Sequence, residues 1–315
     1  MKLVIYMPAL NEAQNIAAVI TRLPRSLNGF DEIQCLVVDD GSSDETALLA
    51  QVAGAHVVSH GRNLGLGTAF QSAVQFALDS DANILVGIDA DGQFDPSEIP
   101  SLISPIICGD AEMVIGNRFS AGIPQYMPRL KYWGNQRMSQ LIQFVSGQKF
   151  QDVSCGFRAY GREALLRLNN FGDFTYTHET ILSLVFQRLR VLEVPIRVSY
   201  DPARKSRVAG SLVRYAVQTS KIILRVLLDY RPMRVFGTLG SSLVLVGFLL
   251  EAFLMGNYLL TGAFTPYKSV GFIGLGFFIF GMLVLIIALV ADMLNRLRLT
   301  QDRLLYELKQ SKYGS

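Results

Sequence analysis

The 315-residue sequence predicts an α/β fold: a doubly wound, mainly parallel sheet, followed by interfacial amphipathic helices and two transmembrane helices. Three observations predict it. From Met1 to about Tyr200, short apolar runs alternate with segments of helical period, the pattern of a parallel sheet covered on both faces. Polar clusters rich in Asp and Gly follow several of those runs. Two long apolar stretches then close the chain: Val235–Leu260, whose one charge is Glu251, and Val270–Ala291, which has none.

Along the first part, LVIYM (Leu3–Met7) is the first strand and leads into PALNE, Pro8–Glu12. Asn15–Leu23 has helical period. IQCLVV (Ile33–Val38) is the second strand and leads into DDGSSDET, Asp39–Thr46. In that cluster Ser42, Ser43 or Asp44 would each cap a following helix. RNLGLGTA (Arg62–Ala69) lacks the G-x-G-x-x-G spacing of a dinucleotide fingerprint and reads as a tight loop that brings backbone close to a ligand. The helix Thr68–Leu78 precedes ANILVGI (Ala82–Ile88), a strand that ends in DADGQ, Asp89–Gln93. The helix Glu98–Ile107 and the strands EMVIG (Glu112–Gly116) and VLEVPIRV (Val191–Val198) complete the alternation.

In an open parallel sheet, ligands bind beyond the carboxyl ends of the strands. PALNE, DDGSSDET and DADGQ all fall there, which suits one shared pocket better than three separate caps. Asp89 and Asp91 stand where a strand ends and Gly92 permits a turn, so both carboxylates can converge on one cation. Oxygen donors of this kind suit Mg²⁺ or Mn²⁺ holding a diphosphate, and Gln93 can add a neutral oxygen. An Asp-x-Asp by itself is as readily a solvated acidic turn; the strand-end position and the companion clusters favour the metal.

Composition bounds the rest. A net charge of +3 gives no case for nucleic acid. Mean hydropathy is +0.31, high for a soluble enzyme. Cys35, Cys108 and Cys155 are odd in number and far apart, which fits a reduced compartment, and they form no metal-type cluster with histidine. The N-terminus has no long apolar core of a secretory signal. Each C-terminal stretch, at about 1.5 Å per residue, is long enough as a helix to cross roughly 30 Å of hydrocarbon. Ala203–Arg234 holds eight basic residues against the single acidic Asp229, and Arg296, Arg298 and Arg303 follow the second stretch, while the loop 261–269 between them has only Lys268. The positive-inside rule then places both ends in the cytoplasm.

The expected organisation is a cytoplasmic catalytic domain, 1–210; a juxtamembrane amphipathic helix, 211–234, lying on an anionic membrane face; a transmembrane hairpin, 235–291; and a C-terminal helix, 292–315, that packs on the domain or on a second subunit of a homo-oligomer. The segment Met127–Val145, with Leu130, Trp133, Met138, Leu141 and Phe144 among cations, reads as a second interfacial helix beside the acceptor path. Glu251 inside a span should face protein or water.

PALNE, VVDDGSSDET, RNLGLGTA, DADGQF, IGNRF (Ile115–Phe119) and DVSCGFRAY (Asp152–Tyr160) occur in an order and spacing that resemble the inverting family 2 glycosyltransferases of the GT-A type. More closely, the chain resembles their dolichyl- or polyprenyl-phosphate sugar transferases, including a bacterial branch with two C-terminal membrane helices. The resemblance covers about Lys2–Ser211 and extends through the spans. It implies that Pro8, Ala9, Asn11, Glu12, Asp40 and Ala90 lie along a nucleotide sugar. It implies that Asp89, Asp91 and Gln93 hold the divalent metal on the diphosphate, with Asp91 and Arg118 at the reacting centre. Lys131 stands where the family usually has an arginine near the acceptor phosphate, and Asn135 where it often has serine. Arg204, Ser206 and Arg207 match a late basic stretch that closes over the diphosphate, although Lys205 stands where a glycine is common. Arg207–Ser211, RVAGS, competes for that match.

The implied reaction moves a hexose from a UDP- or GDP-linked donor to undecaprenyl or dolichyl phosphate at the inner or plasma membrane. A phosphate acceptor needs no strong base, which fits a chain with three histidines, His56, His60 and His178, and no evident base–nucleophile pair. His178 beside Glu179 reads as structural. The rival readings are a processive polysaccharide synthase, whose Q-x-x-R-W motif is missing its tryptophan in QRLRV (Gln187–Val191), and an inactive membrane-anchored nucleotide-sugar-binding protein.

Overall fold

The computed structural model describes residues 1–169, 176–200, 228 and 232–314. The chain divides into two compact units, Met1–Tyr215 with Asp302–Ser315, and Ala216–Gln301. In the first unit, β1 (Lys2–Ala9), β2 (Glu32–Asp39), β3 (His56–Ser59), β4 (Ile84–Gly87), β5 (Met113–Asn117), β6 (Arg158–Gly161) and β7 (Val191–Pro195) form one sheet. Its order is β3-β2-β1-β4-β6-β5-β7. β1 pairs in parallel with β2 and β4, β2 with β3, and β5 with β7. β6 alone runs antiparallel, between β4 and β5. The mainly parallel α/β sheet is therefore present with one reversed strand.

The interior strands form because they are apolar on both faces: Leu3–Met7 and Ile84–Val86 are wholly buried. The helices that cover them are α1 (Ile16–Arg22), α2 (Thr46–Val52), α3 (Leu66–Asp79), α4 (Ile99–Ile107), α5 (Arg129–Ser146), α6 (Arg162–Arg167) and α7 (Tyr176–Phe186). α3 buries Ala69, Phe70, Ala73, Val74 and Ala77, a small-residue stripe at helical spacing that lets it lie close to the sheet. Phe70 stacks on Tyr176 with ring centroids 4.4 Å apart and meets Tyr160 at 5.2 Å. Tyr6 donates to Tyr176 across 3.1 Å. This aromatic layer is a rigid floor at the β1–β4 junction.

That junction is where the sheet order reverses, with β2 on one side of β1 and β4 on the other. The carboxyl ends of adjacent strands around such a switch point form a crevice. β5 runs in the same direction as β4, since both oppose β6, so its carboxyl end reaches the same edge.

α5 divides the apolar residues that its sequence groups together. Met138, Ile142 and Val145 are buried, Leu130 and Leu141 are half-buried, and Trp133 and Phe144 are exposed. The helix packs beside α7 with one face and leaves the other on the surface.

In the second unit, α8 (Pro232–Thr261) is followed by α9 (Lys268–Tyr313), both long and apolar enough to cross a membrane. The second span and the C-terminal helix of the sequence reading are one continuous helix. No Pro or Gly interrupts 282–313, so nothing breaks it. A Cβ at Gly247 would lie 2.6 Å from Phe278 N and 2.8 Å from Gly274 O, and one at Gly281 would lie 2.7 Å from Val244 N. The two backbones therefore touch along a glycine seam, the packing that membrane helices use where no hydrophobic effect drives them together. Glu251 Oε1 is 3.1 Å from the Cβ position of Gly274 and so points into that seam.

The last turns of α9, from Asp302 on, are part of the first unit. Lys309 Nζ donates to Leu168 O at 2.6 Å, and Tyr306 O–H donates to Glu163 at 3.2 Å beneath the Arg167 guanidinium. Tyr313 O–H donates to Asp79 at 2.7 Å, and its carbonyl accepts from Arg162 at 2.6 Å.

Candidate active site

The loops after β1 and β2 are knitted into one wall. Asn11, at a left-handed φ of 54°, donates its N–H to Ser42 Oγ at 2.9 Å and accepts from Ser43 N at 2.8 Å. Glu12 N donates to Thr46 Oγ1 at 2.8 Å. Pro8 and the buried Ala9 end β1 opposite Val38 and Asp39. Asp40 is buried, and its carboxylate accepts from Leu64 N at 2.9 Å and Gly65 N at 2.8 Å, with His60 Nδ1 at 2.8 Å. Asp40 thus fastens the RNLGLG loop over the wall. His60 reaches Ser72 Oγ on its other side, 3.0 Å away, which makes it a link in this wall.

The opposite wall is the end of β4. Ala90 is buried. Asp91 accepts from Gln93 N at 3.0 Å across the turn at Gly92, whose φ is 74°. Asp89 keeps a partly exposed side chain, so it has an open mouth. Burial, and then the charge of Asp91, push its carboxyl up to about 6. The backbone of the VSCGF loop lies against it: a Cβ at Gly156 would sit 2.8 Å from Asp89 Oδ1.

Arg118 follows β5 and is buried. Its Nε donates to Asp152 Oδ2 at 2.6 Å and its Nη2 to Asp152 Oδ1 at 2.8 Å, while Nη1 donates to Tyr200 O–H at 3.1 Å. Asp152 is fully buried and is held from behind by Glu193, whose carboxylate accepts from Asp152 N at 2.7 Å and Gln151 N at 2.9 Å. Burial raises the Glu193 carboxyl. The Asp152 pairing holds the Arg118 guanidinium charged. Lys131, on α5, lies over the Tyr200 ring at 5.1 Å. Burial and the Arg118 charge lower its ammonium, and Asp89 and Asp91 act in the opposite sense, so these groups share one electrostatic site.

The structure therefore brings together Asp89, Asp91, Arg118 and Lys131. Asn135 is buried one turn further along α5, and its amide donates to Gln151 O at 3.0 Å, a carbonyl that also accepts from Ser139. Arg204, Ser206, Arg207 and most of the amphipathic helix expected over 211–234 lie outside the described residues. Asp152, Gly156, Glu193 and Tyr200 are absent from the sequence reading of the site. Asp152 and Gly156 stand inside DVSCGFRAY, which identifies the stretch without assigning these roles.

Among the described residues no cluster of three His, Cys, Asp or Glu side chains could hold a metal. Two carboxylates at the rim of a crevice still fit Mg²⁺ or Mn²⁺, which keep several positions for water and substrate phosphate. The raised Asp89 carboxyl marks a pair whose joint negative charge a cation would offset.

His178 is not a base. It is buried, neither ring nitrogen has a hydrogen-bond partner among the described residues, and burial then Arg158 push it down from 6.5 to about 3. A depressed histidine stabilises the fold fully above its ordinary value, and that contribution is lost as pH falls from 6.5 through about 3. Acid unfolding of the wild type should therefore steepen below about pH 6.5, approaching about 1.4 kcal/mol per pH unit. In His178→Leu the slope should flatten. Thermal melts from pH 7 to 4.5 read both, and equal slopes would refute the assignment.

The model for glycosyl transferase family 2 matches residues 4–168, just over half of the chain and the part that holds both walls. Glycosyltransferase AglJ of Haloferax volcanii is 28% identical over 312 residues, covering 96% of each chain. Polyprenol monophosphomannose synthase of Mycolicibacterium smegmatis is 26% identical over 224 residues, 68% of this chain and 83% of its own. Among solved structures, glucosyl-3-phosphoglycerate synthase from Mycobacterium tuberculosis with Mn²⁺, UDP-glucose and phosphoglyceric acid has the same fold, at a TM-score of 0.54 and 23% identity over 72% of this chain and 78% of that one. With its switch-point crevice and its mixed seven-stranded sheet, the chain belongs to glycosyl transferase family 2 and is a glycosyltransferase of the GT-A type.

Proposed function

We propose that the protein is a membrane-anchored, inverting glycosyltransferase that moves a hexose from a UDP- or GDP-linked donor to a polyprenyl phosphate, undecaprenyl or dolichyl. The observation that carries this reading is the meeting of two carboxylates, Asp89 and Asp91, with two cations, Arg118 and Lys131, at the β1–β4 crevice of a chain that also has two membrane-length helices. Relatives named for polyprenol monophosphomannose synthesis support it.

In the proposed reaction the donor lies along Pro8, Ala9, Asn11, Glu12, Asp40 and Ala90. When bound at Asp89 and Asp91 with help from Gln93, Mg²⁺ or Mn²⁺ supplies positive charge to the departing diphosphate. Arg118, fixed by Asp152 and Tyr200, adds a second positive charge there without reorganising. Lys131 receives the acceptor phosphate, a role shared in this reading with Asn135 and Ser206. The acceptor oxygen forms the new bond to the anomeric carbon as the bond to the nucleotide's β-phosphate oxygen breaks. The leaving nucleoside diphosphate takes the electron pair. A phosphate monoester carries about −1.5 to −2 charge near pH 7, so no proton has to be removed. Arg204 and Arg207 would close over the diphosphate. The catalytic unit and both termini lie in the cytoplasm in this reading, with α8 and α9 in the inner or plasma membrane.

The test is transfer itself. Membranes from expressing cells receive labelled UDP- and GDP-sugars, a divalent ion and undecaprenyl phosphate. The expected product is label in the organic phase that falls about 10²–10³-fold in Asp91→Ala. Label confined to a water-soluble polymer would overturn the reading.

A further inference from the structure

We propose that Tyr200 completes, with Arg118 and Lys131, a binding site for a phosphate monoester, and that it is a specificity-determining residue for the acceptor. Assigning that phosphate to a prenyl acceptor rests on the function proposed above; the site itself stands on geometry.

Tyr200 is delivered to the crevice by a segment pinned along its length. Past β7, Ile196 N donates to Asn117 O at 3.1 Å, Arg197 N to the Glu98 carboxylate at 2.9 Å and Ser199 N to Gln93 O at 2.9 Å. Val198 forms an antiparallel bridge with Phe94. The buried Ile196 fills the space beside Gly116, where a Cβ would lie 2.6 Å from its Cδ1. The chain is therefore fastened to the loop after β4 and to the end of β5 just before the tyrosine, which fixes the backbone that carries the half-buried ring.

The ring links two like charges. Its hydroxyl oxygen accepts from Arg118 Nη1 at 3.1 Å, and the Lys131 ammonium lies 5.1 Å from its centroid. Two cations on one small site repel each other. A carboxylate at this place would hold them together by cancelling their charge. A neutral tyrosine holds one by a hydrogen bond and the other by a cation–π contact, and leaves their charge for a ligand. Asp152 takes Nε and Nη2 of Arg118, so the second Nη1 hydrogen stays available next to Tyr200. The tyrosine hydroxyl accepts from Arg118 and keeps its own proton to donate. Guanidinium, phenol and ammonium thus offer a donor each to one anion. A phosphate monoester matches them, with three terminal oxygens and about −1.5 to −2 charge near pH 7. The donor diphosphate belongs on the other side, with Asp89 and Asp91, whose carboxylates repel an anion that arrives without a metal.

Tyr200→Phe keeps the ring beside Lys131 and removes the hydroxyl. In the full-length protein it should raise KM for the prenyl phosphate about ten-fold, as expected for losing a hydrogen bond to a charged group. The donor KM should not move and kcat should change little, because Asp152 still holds Arg118 through Nε and Nη2. Tyr200→Leu removes the ring as well and should raise the acceptor KM several-fold further. In a Lys131→Met background the Tyr200→Phe step should cost several-fold less, since both groups act on one phosphate. A purely structural tyrosine would instead lower the thermal midpoint and move both KM values together. Calorimetric titration with geranyl phosphate, against geraniol as the control that lacks phosphate, reads the site without turnover. Tyr200→Phe should weaken geranyl phosphate about ten-fold. No phosphate-dependent binding to the wild type, or equal affinity in both proteins, would overturn the proposal. So would a change confined to the donor KM, which would assign the tyrosine to the diphosphate. If Tyr200-dependent binding holds while no prenyl phosphate accepts sugar, the site stands and the function reading fails. Transfer with an acceptor KM indifferent to Tyr200→Phe sinks the site alone.

Discussion

Asp152→Ala is expected to cost the catalytic unit about 3–5 kcal/mol and to remove most of the transfer activity. Both side chains of the Arg118–Asp152 pair are almost fully buried, at 6% and 0% exposure. Removing the carboxylate leaves a guanidinium inside the protein with Tyr200 as its one remaining hydrogen-bond partner among the described residues. The loss is therefore mainly the desolvation of a stranded charge. It should appear as a lower unfolding midpoint followed through Trp133, which reports on α5, itself tied to Gln151 by Asn135 and Ser139.

Companion variants separate the fold from the chemistry. Asp152→Asn keeps the shape and one acceptor oxygen, so its cost should be well below that of alanine. Arg118→Met with Asp152→Leu replaces the pair by apolar groups and should recover much of the stability, because buried ion pairs seldom outperform a well-packed apolar substitute. Transfer should stay lost in that double variant. Wild-type turnover there would show that Arg118 serves only to hold Asp152.

This pair also shows where reading the sequence ends. β1, β2, β4, β5 and β7 are legible because each is an apolar run with a polar stop. β3 is four residues, His56–Ser59, with both ends exposed, and does not stand out from a loop. β6 begins with Arg158, a fully buried charge that no apolar pattern announces. Its guanidinium is satisfied by the carbonyls of Val153, Cys155 and Thr177, which are adjacent only once the chain has folded. The same holds at the site. Asp89 and Asp91 declare themselves by position on a strand end. Asp152 acquires its role from Arg118, 34 residues earlier, and Gly156 from a close approach to Asp89. Roles that depend on tertiary approach leave no local periodicity to read.

Asp89→Asn should abolish function and stabilise the metal-free protein at once. Burial and Asp91 push the Asp89 carboxyl from an ordinary 3.8 to about 6. A carboxyl raised by folding contributes stability in its neutral form, fully present below about 4 and lost as pH rises through about 6. At pH 7.5 in chelator the ionised pair is thus a standing cost, only partly offset by Arg118, Lys131 and Arg158. Asparagine removes it, so the thermal midpoint should rise by a few degrees while kcat falls about 10²–10³-fold. Adding Mg²⁺ or Mn²⁺ at pH 7.5 should raise the wild-type midpoint and leave that of Asp89→Asn nearly unmoved. Asp91→Asn should lose comparable activity with a smaller rise in midpoint, since it removes the charge that opposes Asp89 but leaves the larger, burial part of that shift, and asparagine can still accept from Gln93 N. A lower midpoint for Asp89→Asn would mean that its carboxylate supports the fold, and that the opposition of stability and activity at this crevice does not exist. A higher midpoint with lost transfer would mean that the crevice maintains an unfavourable charge pair because a cation and a diphosphate are needed there.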